Sequence, residues 1–345
     1  MSDLRSKSRD SNMELLRIIG MYVIVLGHFS QELLTNGVVN GFEKQLALFT
    51  SSGGQMVTNC YVMISGYYLS TKKRIELRKI LNMWGAALFY SYGITIILAA
   101  TVGLQQPMGI SEILTILFPV SCRQWWFVSA YIGTYVLAQY INILIDAMKV
   151  IEYRRLILIL VLMLSVIPTF TVSGTWFHEL TWCIFLYLLG GYIRKYEADV
   201  APLSRGFCVC NMLICVTVLG ASVVLLDSLP AISAKLGGVM YFRGLNKFPC
   251  LVTSISVFMF FMKCNIGNNR IINRISKLTF GVYLIHMQVL LKELVWKPFL
   301  CGINKSGGYL LIWIAPLVVF AICAFIEYLR DKIFNGVKPA VIKMR

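Results

Sequence analysis

Two ionisable side chains stand out in the first long apolar segment of this 345-residue sequence. Arg17 and His28 are eleven residues apart, and the residues between them are apolar or small apart from Tyr22. In an α-helix, eleven steps of about 100° return to within roughly 20° of the starting direction and rise about 16 Å. The spacing therefore predicts that both side chains project from one face of a helix, at different depths.

An arginine and a histidine placed in this way suit transfer of a group from a phosphorylated donor. Arg17 and nearby basic connections could hold the phosphates of a cytoplasmic cofactor, while a pantetheine arm presents a thioester near His28. Histidine, with an ordinary pKa of about 6.5, is well suited to accept a proton from an attacking hydroxyl. The alternatives are that Arg17 snorkels to the headgroups beside Glu14, and that His28 is an interfacial residue bonded to a neighbour.

The elements that must position these residues are membrane helices. The chain is 58% apolar and 14% charged, whereas soluble domains have about 25% charged residues. Long uncharged runs reach or approach the roughly 20 residues that cross a bilayer. We expect an all-α, polytopic membrane bundle of about ten transmembrane helices. The predicted spans are 13–30, 54–70, 80–104, 125–146, 156–172, 179–193, 206–226, 248–262, 279–296 and 309–329.

The net charge of +16 is distributed very unevenly between the connections. Most Lys and Arg residues fall in alternate connections, on the side that also holds both termini. By the positive-inside rule this side is cytoplasmic, so both termini lie in the cytoplasm and the number of spans is even. The basic excess therefore reflects topology and an anionic ligand, and we expect no nucleic-acid partner.

No soluble domain or long linker is visible in the sequence. We expect a cytoplasmic N-terminal tail at residues 1–10, a membrane domain at 11–330 and a basic cytoplasmic C-terminal tail at 331–345. The ten cysteines are scattered singly apart from Cys208 and Cys210, so their spacing predicts neither a metal site nor a disulfide framework. The short apolar stretch Ile113 to Val120 cannot cross a bilayer, and we expect it to lie at the interface or to re-enter the membrane.

Four features in this order resemble the acyltransferase-3 family of membrane O-acyltransferases. The first helix carries an arginine and a histidine with ten residues between them, as Arg17 and His28 do. The others are VMISGYYLS (Val62 to Ser70), WWFVSAYIGTYVLAQYIN (Trp125 to Asn142) and FGVYLIHM (Phe280 to Met287). The resemblance covers about residues 11 to 330.

The resemblance implies transfer of an acyl group, commonly acetyl, from cytoplasmic acyl-coenzyme A to a hydroxyl of an exported or cell-surface glycan. It also implies that His28 is catalytic and that Arg17 contacts the donor, acetyl-CoA or another acyl-CoA, without a metal. We therefore expect a multi-pass O-acetyltransferase of the plasma or inner membrane, whose partners are the lipid bilayer, the glycan and polysaccharide-assembly proteins. The alternatives are a glycan-lipid transporter or flippase, and a non-catalytic component of a polysaccharide assembly machine.

His286 is the alternative general base to His28. It lies three residues after Tyr283, so the two share a face of the ninth predicted span. Tyr283 is itself a candidate substrate-binding residue.

The other candidate substrate-binding residues are Ser65, Trp126, Tyr131 and Arg243. Each has a purely structural alternative. Ser65 lies beside Gly66, where small residues more often allow close helix packing. Trp126 and Tyr131, with Trp125, begin the fourth span at its outer end, where an aromatic belt is the usual explanation. Arg243 lies in the outward segment Asp227 to Lys247, which suits a plain turn as well as a polar ligand.

Overall fold

The computed structural model describes residues 10–72, 74, 76–103, 108–172, 176–197, 203–303 and 308–342. Within these ranges all regular secondary structure is helical. The helices in chain order are α1 (Ser11–Thr35), α2 (Gly41–Ser51), α3 (Gly53–Leu69), α4 (Leu77–Thr101), α5 (Ile110–Leu117), α6 (Trp126–Ala147), α7 (Val150–Val161), α8 (Ile167–Phe170), α9 (Glu179–Lys195), α10 (Arg205–Asp227), α11 (Pro230–Leu236), α12 (Phe248–Lys263), α13 (Arg270–Ile275), α14 (Thr279–His286), α15 (Lys292–Ile303) and α16 (Gly308–Ile342).

Five helices of the described chain are long and apolar enough to cross a membrane: α1, α4, α6, α10 and, over Tyr309–Phe334, α16. On α10 the apolar side chains of Leu213, Ile214 and Val218 are all more than half exposed. Such faces are stable only against lipid or another protein surface. The chain is an all-helical membrane protein, while the total of about ten spans and the cytoplasmic position of the termini stay predictions.

The ninth predicted span, residues 279–296, is wrong as a single helix. α14 ends at His286, and α15 begins at Lys292. Between them, the Gln288 side-chain oxygen accepts hydrogen bonds from the backbone N–H groups of Leu290 (2.8 Å) and Leu291 (2.9 Å). A side chain that satisfies these N–H groups starts a new helix, in the manner of an N-cap. The break leaves His286 at the end of a short helix inside the bundle.

The segment before α12 is more ordered than the predicted outward loop. It contains α11 and a 3₁₀ turn, Tyr241–Arg243. Gly237 ends α11 with a φ of 88°, in the left-handed region that glycine adopts at little cost. The short apolar stretch of residues 113–120 overlaps α5, which has eight residues. Residues 1–9 and 343–345 of the predicted tails lie outside the described residues.

α1 is the central helix, and it packs antiparallel to α3. Near one end of this pair, the Tyr61 hydroxyl donates to the Arg17 carbonyl oxygen over 2.5 Å. Near the other end, a Cβ on Gly27 would lie 3.6 Å from the backbone nitrogen of Gly54. The α1–α3 pair therefore runs the full distance between Arg17 and His28 and forms the wall on which both lie.

α3 also packs closely against α9, at two glycines. A Cβ on Gly66 would overlap the Tyr187 carbonyl group, and a Cβ on Gly190 would overlap the Met63 carbonyl oxygen. Small residues at such crossings let helix backbones approach each other, as is common in membrane bundles. The contact fixes α3, and with it the cavity-lining residues described below.

Two buried asparagines, Asn59 and Asn142, form hydrogen bonds that connect helices. Asn59 accepts from the Trp182 indole N–H (2.9 Å) and donates to the Leu245 carbonyl oxygen (3.0 Å). Asn142 accepts from the Tyr187 hydroxyl (2.9 Å). Each such bond contributes roughly 1 kcal/mol or less in a membrane protein, so their effect is to fix helix positions.

Candidate active site

A cavity of about 480 Å³ lies among α1, α3, α4, α6, α14 and the segment before α12. This volume is within the range of small-molecule sites, roughly 300–1,000 Å³. Seven of the residues selected from the sequence line it: Arg17, His28, Ser65, Trp126, Tyr131, Tyr283 and Arg243. The eighth, His286, does not line the cavity but forms a hydrogen bond with His28, which does. The fold thus brings every sequence-selected site residue to one place.

Arg17 and His28 both lie on the wall of this cavity, as their spacing along α1 predicts. The Arg17 guanidinium lies 3.2 Å from each oxygen of the Glu14 carboxylate, one turn earlier. That carboxylate also accepts a hydrogen bond from the Ser276 hydroxyl, just before α14. Glu14 therefore connects Arg17 to the segment that leads into α14 and holds the guanidinium in place beside the cavity.

Two of the three histidines in the sequence form a hydrogen-bonded pair. His28 Nδ1 lies 3.0 Å from His286 Nε2, and the ring centroids are 5.3 Å apart. His286 is fully buried (0% exposed), and its Nδ1 lies 2.6 Å from the Val282 carbonyl oxygen. The third histidine, His178, is an exposed residue that caps the N-terminus of α9.

The backbone contact of His286 determines where the protons of the pair lie when both rings are neutral. A carbonyl oxygen only accepts, so His286 Nδ1 carries a proton and donates it to Val282. His286 Nε2 is then unprotonated and accepts from His28 Nδ1–H. This leaves His28 Nε2 unprotonated, which is the state that a general base requires. In this arrangement His28 is a possible catalytic base, and His286 orients it.

Aromatic side chains form one wall of the cavity. The Phe127 ring lies edge-to-face with Tyr283, with centroids 6.0 Å apart, and 5.6 Å from the ring of Tyr131. The Tyr131 hydroxyl is 2.7 Å from the Ser65 hydroxyl across the α3–α6 interface. Trp126 lies next to Phe127 on the same wall. These rings line the same cavity as His28.

The aromatic-belt alternative is wrong for Trp125, because this side chain is buried in the core and only 1% exposed. Trp126 and Tyr131 are partly buried and line the cavity. Hydropathy alone does not distinguish an aromatic residue at the membrane interface from one that faces the interior of the bundle.

Two lysines at the Arg17 end of the cavity were not identified as site residues from the sequence. Lys79, on the first turn of α4, and Lys277, just before α14, both line the cavity and are otherwise exposed. Lys79 also forms an ion pair with Glu76 over 2.9 Å. Both belong to the basic connections from which phosphate contacts were expected. Nothing in the sequence distinguished them from lysines whose role is topological.

Arg243 lies at the opposite end of the cavity. One guanidinium nitrogen donates to the Ser51 carbonyl oxygen over 2.5 Å, and desolvation lowers the pKa of the guanidinium below its ordinary value. Other polar groups toward this end are the side chains of Gln31 and Gln55. These neutral donors and acceptors suit the hydroxyl groups of a sugar.

The charges on the cavity wall are all of one sign. Within the part of the chain that the structure describes, Arg17, Lys79, Lys277 and Arg243 line the cavity, and no acidic side chain does. The same residues contain no group of three or more His, Cys, Asp or Glu side chains placed to hold a metal. The cations suit anionic ligands at both ends of the cavity, and the His28 imidazole lies near the Arg243 end.

Comparison with known proteins gives one finding. A family model described as an acyltransferase domain, of the acyltransferase-3 type, matches residues 10–329. This range contains the histidine pair and all the residues named above as lining the cavity. No curated protein and no solved structure matches the chain.

Proposed function

This chain belongs to the acyltransferase-3 family, and on that premise we propose that it transfers an acyl group, acetyl in the first instance, from cytoplasmic acyl-coenzyme A to a hydroxyl of an exported or cell-surface glycan. The observation that carries the proposal is the His28–His286 pair beside a cavity with three cations at one end. The protein would act in the plasma or inner membrane, with the Arg17 end facing the cytoplasm.

The charge at one end of the cavity and the distance from Arg17 to His28 support acyl-coenzyme A as the donor. Arg17, Lys79 and Lys277 would contact the phosphates of the coenzyme at the cytoplasmic mouth. No acidic side chain of the described residues lines the cavity, and Glu14 and Glu76, which pair with Arg17 and Lys79, lie outside its lining. Arg17 and His28 are eleven residues apart on one helix, or about 16 Å along its axis. This is the distance that a pantetheine arm must cover to bring its thioester to His28.

The acceptor would enter from the Arg243 end and present a hydroxyl to the thioester. His28 Nε2 takes the hydroxyl proton as the oxygen attacks the thioester carbon, and the carbon–sulfur bond breaks in the tetrahedral intermediate. The imidazolium then returns the proton to the departing thiolate, which gives free coenzyme A and an ester on the glycan. His286 holds His28 in the required tautomer and shares the positive charge that develops during transfer. General acid–base catalysis of this kind contributes about 10²- to 10⁴-fold in rate.

The test uses membranes that contain the wild-type protein, a His28→Ala variant or a His178→Ala variant, each incubated with radiolabelled acetyl-coenzyme A. We expect label on glycan with the wild type and with His178→Ala, and a loss of at least 100-fold with His28→Ala at equal protein level. His178 is the matched control because the same substitution is made outside the cavity.

Two results would reject the proposal. If none of the three proteins gives label on glycan, the protein is a transporter or flippase. If the folded His28→Ala variant gives as much label as the wild type, the protein is a non-catalytic component of the assembly machine.

A further inference from the structure

Arg243 has a position and an environment that transfer from the donor does not explain. It lies at the end of the cavity opposite Arg17, Lys79 and Lys277, so donor phosphates at that mouth do not reach it. α1 and α3 separate the two ends by the distance from Arg17 to Gly27. A second charged ligand, or a second charged part of the reaction, would account for a cation at this end.

The segment that carries Arg243 is held against α8 and the turn before it. The Tyr241 hydroxyl donates to the carbonyl oxygens of Pro168 (3.0 Å) and Thr169 (2.7 Å), and the Lys247 ammonium donates to Pro168 (2.8 Å). These carbonyls lie in the last turn of a helix, where no intrahelical donor remains. Lys247 also lies over the Tyr241 ring, 4.1 Å from its centroid. The turn that carries Arg243 is therefore held in place by hydrogen bonds on both sides of this residue.

A further bond fixes the same segment to the π-helical turn Leu162–Val166. The Asn246 side-chain amide donates to the Leu164 carbonyl oxygen over 3.0 Å. Pro168, four residues after Leu164, has no N–H to offer this carbonyl. The Leu164 carbonyl oxygen instead accepts from Asn246, in the segment that carries Arg243. π-Helical turns are frequent at functional sites.

The guanidinium is partly buried without an opposite charge. Among the described residues it donates to the neutral Ser51 carbonyl oxygen, and no carboxylate of these residues lies within 4.0 Å of it. A guanidinium has five N–H donors in a planar fork. Partial burial of a cation that has no opposite charge nearby is unfavourable. A permanently anionic ligand would compensate this cost in the ground state.

Arg243 is also close to the reacting centre. The Ser51 carbonyl oxygen that accepts from Arg243 lies 3.6 Å from the position of a Cβ on Gly27, the residue before His28. One carbonyl thus contacts both the arginine and the helix turn that carries the base. A group bound by Arg243 would belong to the same sugar as the attacking hydroxyl, or to its neighbour.

We infer that Arg243 binds a carboxylate or phosphate substituent of the acceptor, so that the protein acylates an anionic glycan. This inference rests on the proposed function and specifies its acceptor. Arginine matches both anions through paired, charge-assisted hydrogen bonds. The competing role, stabilisation of the oxyanion of the tetrahedral intermediate, gives a different kinetic result.

The first experiment identifies the acceptor in cells. A deletion strain is complemented with the wild type, Arg243→Gln, Arg243→Lys or the control Lys235→Gln, and the surface glycans are analysed by mass spectrometry and NMR. Lys235 is an exposed lysine of α11 that does not line the cavity. We expect acylation of a repeating unit that carries a carboxylate or a phosphate, and the spectra distinguish the two. Arg243→Gln should lower acylation at least tenfold, with partial retention in Arg243→Lys and wild-type levels in Lys235→Gln.

The second experiment separates acceptor binding from oxyanion stabilisation. Purified protein in nanodiscs is assayed for acetyl-coenzyme A hydrolysis, in which water replaces the glycan, and for transfer to the isolated glycan. Both reactions form the same oxyanion. We expect Arg243→Gln to lower transfer at least tenfold more than hydrolysis. Loss of the Arg243–Ser51 hydrogen bond affects the same variant in both assays, so the ratio of transfer to hydrolysis does not depend on it.

Three results overturn the inference. These are an acylated repeating unit without any anionic group, an equal loss of hydrolysis and transfer in Arg243→Gln, and wild-type acylation by Arg243→Gln. In each of these cases the wild type still acylates glycan, so the proposed function stands. If the wild type adds no acyl group to any glycan and binds no acetyl-coenzyme A, the proposed function and the inference both fail.

Discussion

Replacing His286 by leucine removes the acceptor that holds the proton on His28 Nδ1. Leucine fills a similar volume at this fully buried position, so the change removes the hydrogen bond with little loss of packing. Without the acceptor, the His28 proton can move to Nε2, where it blocks the lone pair that must take the hydroxyl proton. We therefore expect kcat to fall while KM for acyl-coenzyme A changes little.

The size of this effect follows from the loss of one buried hydrogen bond. Leaving a buried group without its partner costs about 1–3 kcal/mol. Because 1.36 kcal/mol corresponds to tenfold in rate, His286→Leu should lower kcat by about 5- to 150-fold. His28→Ala removes the base itself and should lower kcat by about 10²- to 10⁴-fold. The double variant should be no slower than His28→Ala, because residues that act as a unit are not additive.

The assay measures initial rates of acyl transfer with purified protein in nanodiscs, over a range of acyl-coenzyme A concentrations. His286→Gln is the matched variant, since its side-chain oxygen can accept from His28 Nδ1–H where leucine cannot. We expect His286→Gln to retain more activity than His286→Leu. Size-exclusion profiles and thermal unfolding check that both variants are folded.

Two results would refute the reasoning. If the losses in the two single variants multiply in the double variant, His286 acts independently of His28 and the pair is no relay. If His28→Ala stays active while His286→Leu is inactive, His286 is the base and His28 its support.

The remaining predictions concern the donor end and the helix packing. Arg17→Ala should raise KM for acyl-coenzyme A by about 10- to 100-fold with a smaller change in kcat, because a charged hydrogen bond contributes about 1.5–3 kcal/mol. An unchanged KM in steady-state kinetics would indicate that Arg17 only snorkels to the headgroups. Lys277→Ala should raise the same KM by a few-fold, and the difference from wild type should shrink as salt rises; Lys235→Ala is the control, and equal effects would remove Lys277 from the donor site. Gly66→Ala should lower the melting temperature and the yield of folded protein because the added Cβ meets backbone, whereas Gly85→Ala, with open space around it, should be neutral or stabilising by up to about 1 kcal/mol.

The sequence predicted most of the helices, and the reason is that their signals are local. Hydropathy over about 20 residues placed both ends of α4, α6 and α10, and the starts of α1 and α16, to within about three residues, whereas α1 and α16 extend further than predicted at their C-terminal ends. It failed between residues 279 and 296, where apolar residues continue but Gln288 starts a new helix. It also assigned Trp125 to an interface, since an apolar ring has the same hydropathy facing lipid or the protein core.

The candidate site was predicted in part. Arg17 and His28 share a face because eleven residues make three turns of one helix, and no other helix needs to be known. Tyr283 and His286 were placed together by the same argument. Lys79 and Lys277 were missed because a lysine beside an apolar helix is usually explained by membrane topology, and only packing brought these two to the cavity.

The sequence by itself determined that the chain is helical and apolar, that it belongs with membrane acyltransferases, and that one helix face carries a cation and an imidazole. Only the tertiary structure decided that His28 and His286, 258 positions apart, share a hydrogen bond, and that Arg243 faces the same cavity from the opposite end. Helical periodicity is a property of consecutive residues and can be read from them. The contact between two distant helices depends on how all the others pack, through close approaches such as those at Gly66 and Gly190.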